Sequence, residues 1–193
     1  MGKTSAEGKV KEEKDENELG IFEMSNISLM LNSYDDIFSS FDPRHDSEKA
    51  LSVDFLDEAK RASRDQVSGD IELRLLIPKK LRDINREKAV KKRLREHFQK
   101  HHSQIRKQYR KIIANGIIFI TTGVLIMLMA TFISFKLSVD NFLGHFLIIF
   151  LEPGGWFFFW EGLYQIIFDS KQKKPDLDFY EKMAGATIHF LSY

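Results

Sequence analysis

Apolar positions along the chain repeat with different periods in different stretches. In 26–32 (Asn-Ile-Ser-Leu-Met-Leu-Asn) and 71–77 (Ile-Glu-Leu-Arg-Leu-Leu-Ile), apolar residues come close to alternation. At the end of the chain, Ile188 and Phe190 alternate against Thr187, His189 and Leu191. A period of two puts one set of side chains on one face of a strand, so three strands are expected. Pro78 stops the second, since proline cannot donate to a ladder. Phe55, Leu56, Ala59 and Ala62 share one face of a helix predicted over 53–64, with Ser52 as its N-cap and Gly69 closing the unit. From 79 to 111, Val90, Leu94, Phe98, Ile105 and Tyr109 recur in steps of four and seven. That is a narrow apolar stripe on a long helix, expected to pack on a sheet or a sister helix.

The pattern then changes character. Residues 112–135 carry no formal charge, enough to cross a ~30 Å hydrocarbon core as a helix. Residues 136–141 read as a short hairpin loop, and 142–168 as a second span. Pro175 is expected to open a short helix over 176–183, with Gly185 at its C-cap and the last strand after it. A lone terminal strand is unstable in water. It must pair with 26–32 or 71–77, so a small sheet is completed across the hairpin.

These elements predict an α+β membrane protein: a two-helix transmembrane hairpin plus a small cytoplasmic α/β domain with a roughly three-stranded sheet. The expected divisions are a disordered charged tail (1–20), the cytoplasmic α/β part (21–78), the long basic helix (79–111), the hairpin (112–168) and a returning helix and strand (169–193). The tail has too little apolar surface to repay ordering and lacks the apolar core of a signal peptide.

Charge adds an orientation. The net charge of +1 hides an acidic first third and a basic stretch at 79–111, where Asp83, Glu87 and Glu96 are the only acids among 14 Lys and Arg. Lys171, Lys173 and Lys174 follow the second span. Positive flanks stay on the cytoplasmic side, so both termini are expected there, in the inner cell membrane. So basic a helix needs an anionic neighbour; anionic lipid of the inner leaflet is expected over nucleic acid, because base-stacking aromatics are few.

Candidate chemistry is sparse. There is no cysteine, no P-loop, no dinucleotide fingerprint and no Gly-x-Ser-x-Gly. An enzyme is not expected, nor a cofactor. The second span holds Glu152 in an apolar run, followed at once by Pro153, Gly154 and Gly155, which are expected to kink or break the helix. Ionisable groups at such depth mark partners or hydrated paths. Glu152, with Glu161 and His145 in the same span, is therefore the candidate pore or proton path, against a structural alternative in which Glu152 bonds to Thr121 or Thr122. Asp35, Asp36, Asp42 and Arg44 form an acidic loop, a candidate metal ligand set. Ion pairing with the basic helix is the competing and preferred reading. His97, His101 and His102 are expected to be solvated. The function expected is a homo-oligomeric membrane protein coupling a cytoplasmic sensing or binding domain to the hairpin, with Glu152 as a proton or cation path. The alternative is a non-conducting adaptor that recruits a protein, lipid or nucleic-acid partner.

Overall fold

A computed structural model of the protein describes residues 26–64, 71–136 and 142–193. The charged tail of 1–20, the turn at Gly69 and the loop at 137–141 lie outside these residues. The protein has a mixed α and β architecture with a three-stranded parallel sheet and two long apolar helices. It divides into two compact units, Met1–His102 with Asp178–Tyr193, and Ser103–Leu177.

The first unit is built on β1 (Asn26–Met30), β2 (Glu72–Ile77) and β3 (Thr187–Ser192), in the order β1-β2-β3. The last strand takes the second of its two expected partners. Leu73 stands against Ile188, and Leu75 against Phe190. Alternation does what the sequence implies: Leu73, Leu75 and Ile77 are fully buried, while Glu72 and Arg74 pair on the other face at 2.9 Å. Parallel pairing is possible because every connection between strands carries a helix.

Three helices supply the covering side chains. α1 (Val53–Ser63) buries Phe55 and Ala59. Ser52 holds the N-cap position in extended geometry, but its side chain makes no capping bond, unlike the cap expected of it. α2 (Ile84–Lys136) is one 53-residue helix, and its Val90, Leu94 and Phe98 have no exposed surface. The stripe thus belongs to the core at these positions. The helix starts later than the expected residue 79: Lys79–Leu81 form a 3-10 turn, and Asp83 accepts from the backbone N–H of Asn85 at 2.8 Å as the cap. From the far end of the chain, α4 (Ser170–Gly185) brings Phe179 and Met183 into the same core.

The second unit contains the apolar part of α2 and α3 (Phe142–Tyr164). Two sequence expectations fail here. The helix does not break at Pro153, which lies inside α3, and Pro175 lies inside α4 rather than opening it. Proline deletes only one helical donor, so surrounding turns hold the helix when packing favours it. The irregularity sits instead at Gln165–Asp169, a π-helical turn joining α3 to α4. Ser170 donates its hydroxyl to the Ile166 carbonyl there.

What joins α2 to α3 is a row of small residues. Gly116 meets Gly162, and Gly123 meets Gly155, so the helices run antiparallel with a step of seven on each. Ala130, one more step along α2, is 1% exposed. A step of seven is two turns, which keeps the row on one face. A methyl at Gly123 would stand 2.6 Å from the Phe159 backbone nitrogen and 2.7 Å from the Gly155 carbonyl oxygen. Only glycine allows this approach.

Candidate functional site

The glycine register fixes the level of every group on α3. Gly123 lies midway along the uncharged run 112–135, and its opposite number is Gly155. Glu152 is three residues away, ~4.5 Å along the axis from that midpoint. Its side chain is exposed on the outside of the helix pair, as is that of His145. The two stand seven residues apart on one continuous helix and share a face, as the sequence suggested. The alternative bond from Glu152 to Thr121 or Thr122 is not made among the described residues: Glu152 is exposed, and Thr121 donates instead to the Ile117 carbonyl at 2.8 Å. Glu161 is partly buried and accepts from Gln165 Nε2 at 3.0 Å. Gly154 and Gly155, paired in the sequence as helix breakers, have separate circumstances. Gly155 is in the seam, while a methyl on Gly154 would meet nothing within 4 Å.

The acidic loop does not gather. Asp36 turns back to accept from the backbone N–H groups of Asn32 at 2.7 Å and Ser33 at 3.1 Å, closing a capping box with Ser33. Asp42 accepts from Arg44 Nη2 and the Ala50 N–H, both at 2.7 Å, and from the Arg44 backbone N–H at 3.1 Å; the Arg44 side chain first, then the two backbone N–H groups, hold its carboxyl well below the usual range. Asp35 reaches the long helix, pairing with Arg86 at 2.6 Å, and Asp46 takes the same guanidinium at 2.6 Å. Among the described residues no group of three His, Cys, Asp or Glu is arranged to hold a metal. Three carboxylates on three separate tasks have no shared point at which a cation would sit.

A buried polar cluster at the start of α2 was not anticipated. Arg82 forks onto Glu87 at 2.8 and 3.0 Å, Tyr34 donates to Glu87 at 3.1 Å, and the Asp83 N–H donates to Tyr34 at 3.0 Å. Glu87 is 6% exposed, and the Arg82 bonds lower its pKa against the opposing effect of burial. Burial raises that of Tyr34. A carboxylate so enclosed survives because each oxygen has a donor.

The histidines depart from expectation. His97 stacks on His101 with ring centroids 4.0 Å apart, and His101 stacks on Tyr180 at 5.5 Å. α4 lays Tyr180 over His97 and His101, and His97 Nε2 and His102 Nε2 are buried with no hydrogen-bond partner among the described residues. Burial, then the nearby His101, Arg93 and Lys100, push the His97 pKa down to about 4. His97 therefore stays neutral in the folded protein while its unfolded counterpart takes a proton below about 6.5. Stability should fall as pH drops from 6.5 towards 4, by on the order of 1–2 kcal/mol once solvent screening is allowed for. The stabilising charge on Glu87, its pKa lowered, is lost only in more acid solution. Thermal unfolding of the full chain at pH 7.5 and 5.5 checks this: His97→Leu should flatten the loss seen in the parent, and equal losses would refute the assignment.

No protein-family model, no curated protein and no solved structure matches this chain.

Proposed function

We propose that the chain is an integral protein of the inner cell membrane, its two apolar helices crossing the bilayer as a hairpin with both termini cytoplasmic. Length and composition support this, and so does the want of cover. A core helix of a soluble protein is mostly buried, whereas these helices bury 17% and 6% of their most apolar stretches. The basic flanks support the orientation.

Within this reading the protein acts as a homo-oligomer that couples its cytoplasmic α/β unit to a proton or cation path lined by Glu152. The observation that carries it is the position of Glu152: outward on the hairpin, level with the middle of the uncharged run. A carboxylate at that depth facing lipid costs several kcal/mol, and a facing copy or hydrated cavity removes the cost. Two helices do not enclose a pore, so the path requires several copies. Trp156 is level with Thr122, close to the same midpoint, which speaks against assigning this part of α3 to an interfacial aromatic belt.

Reconstituted protein should show cation or proton flux, and Glu152→Gln should cut it at least about tenfold, equal to ~1.4 kcal/mol on the limiting step. Assembly should be unchanged, since glutamine keeps the shape and hydrogen bonding. A parent that conducts nothing, with the variant indistinguishable, would overturn the path. The non-conducting adaptor would then stand, favoured by the open face of the sheet: Met30 is 69% and Leu191 41% exposed, although parallel sheets are commonly covered on both faces.

A further inference from the structure

We infer that the outward groove at the π-helical turn, with the lysines just beyond it, binds one anionic phospholipid. The groove is a cavity of about 320 Å³ walled by Phe157, Trp160, Tyr164, Ile167 and Phe168, with Glu161 at its side. Ile167 and Phe168 at one end of it belong to the turn at Gln165–Asp169, which is wound wider than the α-helix on either side. Tyr164 and Phe168 stack at 5.1 Å along the groove. The lining is apolar, long in the direction of the helix axis and open to the outside, which suits an acyl chain.

Charge identifies the occupant. Lys171, Lys173 and Lys174 follow Phe168 within two turns, all exposed, and none is in an ion pair among the described residues. The glycine register brings Arg106, Lys107, Arg110 and Lys111 of α2 to about the same level, also exposed and unpaired among the described residues. An unpaired basic collar directly beyond an apolar groove is complementary to a phosphate joined to an acyl chain. Lysine stems can lie along the groove while the ammonium groups reach the phosphate. Glu161 does not meet that phosphate. It lies ten residues before Lys171, ~15 Å along the axis, with its carboxylate tied to Gln165.

This inference rests on the membrane-spanning reading but not on conduction. The protein has two tryptophans, so Trp156→Phe leaves Trp160 as a single reporter in the groove wall. Full-length protein in lipid bilayers is titrated with phosphatidylglycerol or phosphatidylcholine carrying a brominated acyl chain, which quenches tryptophan on contact. Quenching of Trp160 should favour the anionic lipid by on the order of tenfold. Lys171→Glu, Lys173→Glu and Lys174→Glu together should abolish the preference while the protein still resists alkaline extraction. Glu161→Gln should keep or strengthen it. Equal quenching by both lipids, or a preference that survives the triple reversal, would overturn the site. Loss of the preference in Glu161→Gln would do so as well, since the preference would then depend on that carboxylate rather than on the lysines. Extraction of the parent by alkali would instead overturn the membrane reading itself, so the two failures are distinguishable.

Discussion

Replacing Phe190 by alanine should cost the sheet unit about 3–5 kcal/mol, the usual penalty for emptying a buried aromatic site. A domain of this size has a total stability of roughly 5–15 kcal/mol, so the change should leave it partly unfolded at ambient temperature. The reason is where Phe190 sits. It is 5% exposed, opposite Leu75 in the parallel register, with the ring of Tyr34 edge-on at 5.7 Å and the Lys91 ammonium 5.8 Å from its centroid. One side chain thus meets the central strand, the 3-10 turn Tyr34–Ile37 that Ser33 and Asp36 cap, and the long helix. Leu191 is the control, since it is on the same strand but faces outward and is 41% exposed. Leu191→Ala should change stability by no more than about 0.5 kcal/mol. Hydrogen exchange at Leu73 and Leu75 in the full chain is the measurement. Faster exchange in Phe190→Ala but not in Leu191→Ala is expected; unaltered exchange in both would refute the account of the sheet.

The glycine seam should be equally sensitive, in a way that discriminates neighbouring residues. Gly123→Ala puts a methyl 2.6 Å from one backbone atom and 2.7 Å from another, and backbone cannot rotate aside. Gly162→Ala is alike, with Ile120 N at 2.7 Å. Overpacking of this kind costs about 1–3 kcal/mol, and the helices must separate to relieve it. Gly155→Ala should be milder, because its closest neighbour is the flexible Met127 side chain at 2.6 Å. Gly154→Ala meets nothing within 4 Å and should be neutral or stabilising by up to ~1 kcal/mol, alanine being the better helix former. Thermal unfolding of the four variants in detergent should therefore rank them 154, 155, then 123 and 162. A destabilised Gly154→Ala with a parental Gly123→Ala would show that the helices meet on another face.

Much of the scaffold was legible in the chain. Alternation at Ile188 and Phe190 identified a strand, and the instability of an isolated strand required a partner at 26–32 or 71–77. The apolar stripe at Val90, Leu94 and Phe98 named core residues, and the uncharged run at 112–135 named a long apolar helix. These are signals of period and length, written in consecutive residues, and they survive in any tertiary context that buries one face.

The site was less legible. Gly116, Gly123, Gly155 and Gly162 carry a visible spacing of seven on each helix, yet Gly155 beside Pro153 reads locally as a breaker. Only the opposing helix turns it into a contact surface. Asp35, Asp36 and Asp42 read together as one acidic cluster because they are close in sequence. Folding disperses them, since Arg86, the Asn32 and Ser33 N–H groups, and Arg44 with Ala50 each claim a different carboxylate. Tyr34 and Glu87 lie 53 positions apart, so nothing local announces their bond. The sequence by itself determined where strands and apolar helices form, because those depend on a residue and its near neighbours. The tertiary structure decided the parallel order, the glycine register that gives Glu152 its level, and the partner of each charge, because these depend on which distant backbone arrives close enough to satisfy or exclude a group.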